Sequence, residues 1–195
     1  MAEKMMDRGI LYGVSVGPGD PELMTLQAVR RLQSCPVIAA PQTKSGQMLA
    51  LDIACGAVDL NHKVIVPLHF PMSRDSAVLD KAHREAAETL RQYLDAGQDV
   101  AMLNLGDVSV YATFGYLQEL LQAQGYITKM LAGVPSFCAS AARLNQSLTG
   151  GMNQPLTIAP GGAADSVLDG PGSKVLMKTG RQLPQTLEVL AAHGK

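Results

Sequence analysis

Seven apolar runs of strand length punctuate the chain: ILYGVSV, PVIAA, KVIVPL, DVAMLNL, YITKML, PLTIA and KVLMK. Between them lie segments of helical period, for example over residues 22–33 and 76–96. In the second, Val78, Leu79, Ala82, Ala86, Leu90 and Leu94 fall near one face, with Lys81, Arg84, Glu85 and Glu88 elsewhere. Strand alternating with helix predicts an α/β protein with a mostly parallel sheet. The rhythm loosens after Tyr126, where TGGMNQP and APGGAADSVLDGPGS replace long helices. Two α/β domains are therefore expected, a first over residues 1–115 and a smaller second over 116–195. The final LPQTLEVLAAHGK reads as a helix running to the last residue, with no closing strand after it.

Bulk properties narrow the function classes. A chain of 195 residues, 47% hydrophobic and 17% charged, can bury a sizeable core and is not of disordered composition. Its formal net charge of −1 argues against broad electrostatic capture of nucleic acid or acidic membranes. An anionic ligand must then be met by local Arg and Lys groups. No apolar stretch approaches the ~20 residues that span a bilayer, and MAEKMMDRG has no apolar signal core. Three widely spaced cysteines, Cys35, Cys55 and Cys138, read as free thiols in a reducing cytoplasm. His62, His69, His83 and His193 form no ligand pattern, so no metal site is expected. With no Trp and 4% aromatic residues, a platform for stacking nucleic-acid bases is not expected either.

The first strand runs into Gly17-Pro18-Gly19-Asp20-Pro21. Asp20 suits an N-cap and Pro21 a first helical position, with Leu23, Leu26, Val29 and Leu32 as the buried stripe of the helix that follows. The turn thus sits at the carboxyl end of a strand, where open α/β sheets take their ligands. It is not a dinucleotide fingerprint, because Glu22 stands where GxGxxG needs glycine, and the turn holds no phosphate-loop lysine. Asp20 and Glu22 would also repel a phosphate at the helix start. A plain tight turn remains the alternative on local physics.

The same design recurs in LNLGDVSVYATFGYLQELL. Residues 100–105 form a buried strand that ends in Gly106-Asp107, followed by Ser109 and a helix carrying Leu117, Leu120 and Leu121. Two such loops from one sheet edge make a cleft. Asp107 can accept hydrogen bonds from a ligand or cap its own loop, and Tyr111 can start a helix core.

Together, GVSVGPGDPELMTLQAV and Gly106-Asp107-Val108-Ser109-Val110-Tyr111 resemble the signatures of the tetrapyrrole methylase family, S-adenosylmethionine enzymes of cobalamin and siroheme biosynthesis. YATFGYL and PLHFPMSRD are most similar to the precorrin-2 C-20 methyltransferases of that family, and AGVPSFCASAARLN is similar to the segment that opens its second domain. Val108 departs from a frequent proline. The family's chains also continue for several strands, so the resemblance makes this chain's C-terminal part truncated.

The resemblance implies a class III S-adenosylmethionine-dependent methyltransferase with a cleft between two α/β domains. The implied reaction moves a methyl group to the C-20 meso carbon of precorrin-2 or cobalt-precorrin-2. It implies cofactor contacts at Pro18, Leu105, Gly106, Asp107, Val110, Ser136 and Lys178, with Ser109 and Phe137 as neighbours. Asp107 and Tyr111 are the candidate catalytic residues, and Arg74 and Tyr111 the candidate substrate contacts. Lys81, Arg84 and Arg181 are further cations for a carboxylate-rich tetrapyrrole, whereas His69 is left outside the site. A homodimer is implied. A methylase of another carbon, such as a uroporphyrinogen III enzyme, a silent fragment and a non-catalytic nucleotide-binding module are the alternatives.

Overall fold

The computed structural model describes residues 8–73 and 75–194. Two units are distinct in it, one through Ser136 and one from Phe137 onward.

In the first unit, five strands build one parallel sheet: β1 (Leu11–Ser15), β2 (Val37–Gln42), β3 (Val64–His69), β4 (Val100–Asn104) and β5 (Thr128–Leu131). Their order across the sheet is β3-β2-β4-β1-β5. Four helices connect them: α1 (Leu26–Ser34), α2 (Leu49–Cys55), α3 (Ser76–Asp95) and α4 (Phe114–Gln122). Period-two alternation sends neighbouring strand residues to opposite faces. Leu11, Val37, Ala39, Val100 and Met102 pack with Leu90, Leu94, Phe114, Leu117 and Leu121 of α3 and α4. Tyr12, Val14, Ile38, Ala101 and Leu103 pack instead with Ala28, Leu32, Ala50, Ile53 and Ala54 of α1 and α2. The helices therefore cover both faces, the arrangement that near-continuous apolar strands require.

All seven predicted strands are present, but the first helix is not one helix. Asp20 does cap, accepting from the Glu22 amide at 2.9 Å, yet what it caps is a single 3-10 turn, Pro21–Leu23. Met24 is then extended, and Thr25 caps α1 by accepting from the Ala28 amide at 3.1 Å. The interruption resets the helical phase. Ala28 and Leu32 are buried, while Leu26, expected in the stripe, is 72% exposed.

The expected domain boundary at residue 115 also differs from the structure. β5 pairs in parallel with β1 from Leu11↔Thr128 to Val14↔Leu131, so α4 and β5 complete the first sheet. The second unit holds most of α5 (Ser136–Arg143), then β6 (Leu156–Pro160), α6 (Ala164–Val167), β7 (Ser173–Met177) and α7 (Leu183–Ala192). β6 and β7 form a two-stranded parallel sheet, with Ala159, Ala164, Leu168 and Thr186 buried in this unit. The last helix ends at Ala192, before a turn at His193. Among the described residues, no helix is long and apolar enough to cross a membrane.

Candidate functional site

The strand order places β4 directly beside β1, although the chain leaves them in opposite directions. From β1 it passes by α1 to β2 on one side, and from β4 by α4 to β5 on the other. Neighbouring strands whose connections diverge over opposite faces define the switch point at which open α/β sheets bind ligands. Both glycine turns stand at that point.

The turns are bonded to each other. The Val16 amide donates to the Asn104 carbonyl at 2.9 Å, and the Gly106 amide donates to the Gly17 carbonyl at 2.8 Å. Gly17 and Gly106 have φ of 74° and 70°, left-handed conformations that a side chain would strain. Space beside Gly106 is bounded by the loop after β5: a β-carbon there would lie 3.8 Å from Pro135 Cα and 3.9 Å from the Ser136 nitrogen. Leu105 beside it is 48% exposed, an apolar surface at a strand tip.

Asp107 binds these loops together. One carboxylate oxygen accepts from the Ser109 amide at 2.8 Å and from the Ser109 hydroxyl. The other accepts from the Gly133 amide at 2.7 Å. Burial pushes this carboxyl up, but the Ser109 hydroxyl and the Gly133 and Ser109 amides together outweigh it and hold Asp107 below its ordinary range. Asp107 is therefore an ionised acceptor with both oxygens engaged, which suits it to holding loops and not to removing a proton.

Of the residues named from sequence, the structure gathers Pro18, Leu105, Gly106, Asp107, Ser109, Val110, Tyr111 and Ser136 on the first unit. The carboxyl ends of β1 and β4 and the segment after β5 carry them. Ser136 opens α5, whereas Phe137 and Lys178 belong to the second unit. Among the described residues only Tyr111, Asn145 and Lys178 have positive φ without being glycine, at 48°, 52° and 57°. Two of the three are thus sequence-named site residues. Unfavourable backbone of this kind concentrates at functional sites.

The other cations fare differently. Lys81 pairs with Glu85 at 3.8 Å on the exposed face of α3, and Arg84 lines a cavity of about 340 Å³ between α3 and α4, with His83, Tyr116 and Glu119. His69 is exposed at the end of the edge strand β3. Arg74 and the Arg181 side chain lie outside the described residues. The described residues hold no cluster of three or more His, Cys, Asp or Glu groups arranged to bind a metal ion.

Sequence reasoning missed Ser15 and Gly133. Ser15 is fully buried; its hydroxyl donates to the Leu131 carbonyl at 2.7 Å and accepts from the Val108 amide at 2.9 Å. A hydroxyl amid GVSV, at the end of an otherwise apolar strand, was the available signal.

Two glycine turns joined at the switch point of an open parallel sheet stand where α/β proteins of this architecture take their ligands. The chain belongs to the tetrapyrrole (corrin/porphyrin) methylases, whose family model matches residues 10–195. It is 34% identical over 181 residues to a probable cobalt-precorrin-2 C(20)-methyltransferase of Methanocaldococcus jannaschii, covering 92% of this chain and 76% of that protein. It is 36% identical over 141 residues to the cobalt-precorrin-2 C(20)-methyltransferase of Salmonella typhimurium, covering 72% of this chain and 59% of that one. The fold is similar to that of the uroporphyrin III C-methyltransferase of Thermus thermophilus, with a TM-score of 0.66 and 25% identity, over 94% of this chain and 76% of that one. That enzyme is also known in complex with S-adenosyl homocysteine.

Proposed function

We propose that this chain transfers a methyl group from S-adenosylmethionine to the C-20 meso carbon of precorrin-2 or its cobalt complex, in cobalamin biosynthesis. The observation that carries this reading is the bonded pair of glycine turns at the switch point. The choice of carbon follows the similarity to C(20)-methyltransferases.

The residues fit the donor. Gly106 adds no side chain to the space facing Pro135 and Ser136, Leu105 offers an apolar face, and Asp20 and Glu22 disfavour phosphate beside the first turn. By the resemblance Pro18, Leu105, Gly106, Asp107, Val110, Ser136 and Lys178 would hold it, and we add the neighbouring positions Ser109 and Phe137. S-adenosylmethionine supplies a methyl group already activated on sulfonium.

What remains for the chain is positioning, a contribution that reaches ~7–11 kcal/mol when reacting groups are well oriented. Asp107 fixes the loops that carry these contacts. Tyr111 and Arg74 are assigned to the substrate. The exposed free thiols Cys55 and Cys138 suit a reducing cytoplasm, and the resemblance supports a homodimer.

Calorimetric titration with S-adenosylhomocysteine, with NAD and ATP as controls, tests the donor site. Selective micromolar binding is expected. Mass spectrometry and NMR of the product from cobalt-precorrin-2 and from metal-free precorrin-2 then identify the carbon and the preferred substrate. Binding of NAD or ATP in place of S-adenosylhomocysteine, or methylation at another carbon, would overturn the reading.

A further inference from the structure

We propose that Ser15 is a positioning residue of the methyl-donor site. Its hydroxyl fixes the separation between the loops after β4 and β5, and that separation sets donor affinity. The inference rests on the methyl-donor reading above.

The ladder between β1 and β4 ends at Ser15↔Asn104, and that between β1 and β5 ends at Val14↔Leu131. Past these pairs β1 stays tied to the β4 side by the Val16 amide on the Asn104 carbonyl and the Gly106 amide on the Gly17 carbonyl, and the Ser15 side chain adds one bond to each neighbour. It donates to Leu131 at the end of β5 and accepts from Val108 in the loop after β4. A single buried hydroxyl thus uses its donor and an acceptor site on the strands to either side. The Asp107–Gly133 bond forms a second tie between the same two loops. On the same loops, a β-carbon on Gly106 would face Pro135 Cα at 3.8 Å and the Ser136 nitrogen at 3.9 Å. Of the groups assigned to the donor, Leu105, Gly106, Ser109, Val110 and Ser136 belong to one tied loop or the other.

Because Ser15 is 0% exposed, it cannot touch donor or substrate. Its effect must therefore fall on binding, through the loops, and not on the chemical step. An alanine there leaves the Val108 amide without its acceptor and the Leu131 carbonyl without its donor.

The test compares wild type, Ser15→Ala and Ser15→Cys, the last keeping the shape with weaker hydrogen bonds. The expected results for Ser15→Ala are about tenfold weaker S-adenosylhomocysteine binding, the scale of one lost buried hydrogen bond, and a KM for the donor raised in step. Its kcat stays within about twofold of wild type, because no transition-state contact is removed. Hydrogen exchange speeds up at Val108 and Gly133 while Leu11–Val14 stays protected, and Ser15→Cys falls between the other two. Should Ser15→Ala fail to fold, Ser15→Cys carries the same comparison. Wild-type affinity in a folded variant, or a fall confined to kcat, overturns the inference alone. Failure of the wild-type chain to bind S-adenosylhomocysteine overturns the methyl-donor reading, and this inference with it.

Discussion

A β-carbon added at Gly133 would lie 2.3 Å from Cβ of Ser15 and 2.8 Å from the carbonyl oxygen of Gly106. The loop after β5 is thus seated directly on the end of β1, with no room for a side chain between them. Gly133→Ala must push the two apart. Overpacking of this kind costs about 1–3 kcal/mol, and a denaturant titration should show it as a lower midpoint with unchanged slope. The same variant should bind S-adenosylhomocysteine more weakly than wild type, because the displaced loop carries Ser136.

Asp107 should make the fold sensitive to acid. Its carboxyl titrates lower in the folded chain than in the unfolded one, so its stabilisation is fully present above the unfolded value near ~3.9 and is lost as pH falls through the folded value. Asp107→Asn cannot accept from Gly133 and Ser109 as a charged group does, and one of its amide hydrogens must face a donor. A loss of roughly 1–3 kcal/mol is expected at neutral pH. Urea melts from pH 7 to pH 3 should converge with those of wild type toward the acid end. A gap that persists undiminished at pH 3 would rule the carboxylate out as its source.

Lys178 separates strain from binding. Its φ of 57° penalises a side chain, by roughly 1–2 kcal/mol in the left-handed region. Lys178→Gly removes that penalty but frees the unfolded chain at a cost of about 0.4–1 kcal/mol. Stability should therefore change by no more than about 1 kcal/mol, while affinity for S-adenosylhomocysteine falls. Unchanged affinity would remove Lys178 from the site.

His83 lies outside the site and should give a second, independent pH response. Its ring stacks on Tyr116 with centroids 4.5 Å apart and planes 9° apart. Burial pushes its pKa down, and Asp80 opposes this only in part. A histidine depressed in the folded state stabilises above its unfolded value near ~6.5, and that contribution fades as pH falls below it. His83→Phe keeps the stack and should flatten the stability profile between pH 7 and pH 5. Donor binding should be unaffected.

Strands and turns were legible in the sequence because each is a local pattern. The run ILYGVSV is apolar enough to be a strand by itself, and Gly-Pro-Gly-Asp-Pro carries its own turn chemistry. The break at Met24 was not legible: Pro21, Glu22 and Leu23 suit the start of a long helix as well as a 3-10 turn, and only the Thr25 cap decides. Nor was the extent of the first sheet, because β5 reveals its membership only by pairing with β1. Asp107 could be named from Gly-Asp, but not its engagement by Gly133, 26 positions away. Ser15 went unnamed because its partners, Val108 and Leu131, stand 93 and 116 positions along the chain. What a hydroxyl on a strand does depends on which strands come to lie beside it.

The insertion of β4 between β1 and β2 also dictates an order of assembly on the ribosome. β1 is complete at residue 15, yet its two neighbours in the sheet begin only at residues 100 and 128. Until then the nascent chain can pair β2 with β3 and nothing with β1. At about 5–20 residues per second, translation leaves the segment LYGVS unpaired for roughly 4–17 s before its first partner is even synthesised. The strand that later anchors both glycine turns thus spends the start of its life as an apolar ribbon in need of shelter, and in the growing chain it is a natural point of chaperone engagement.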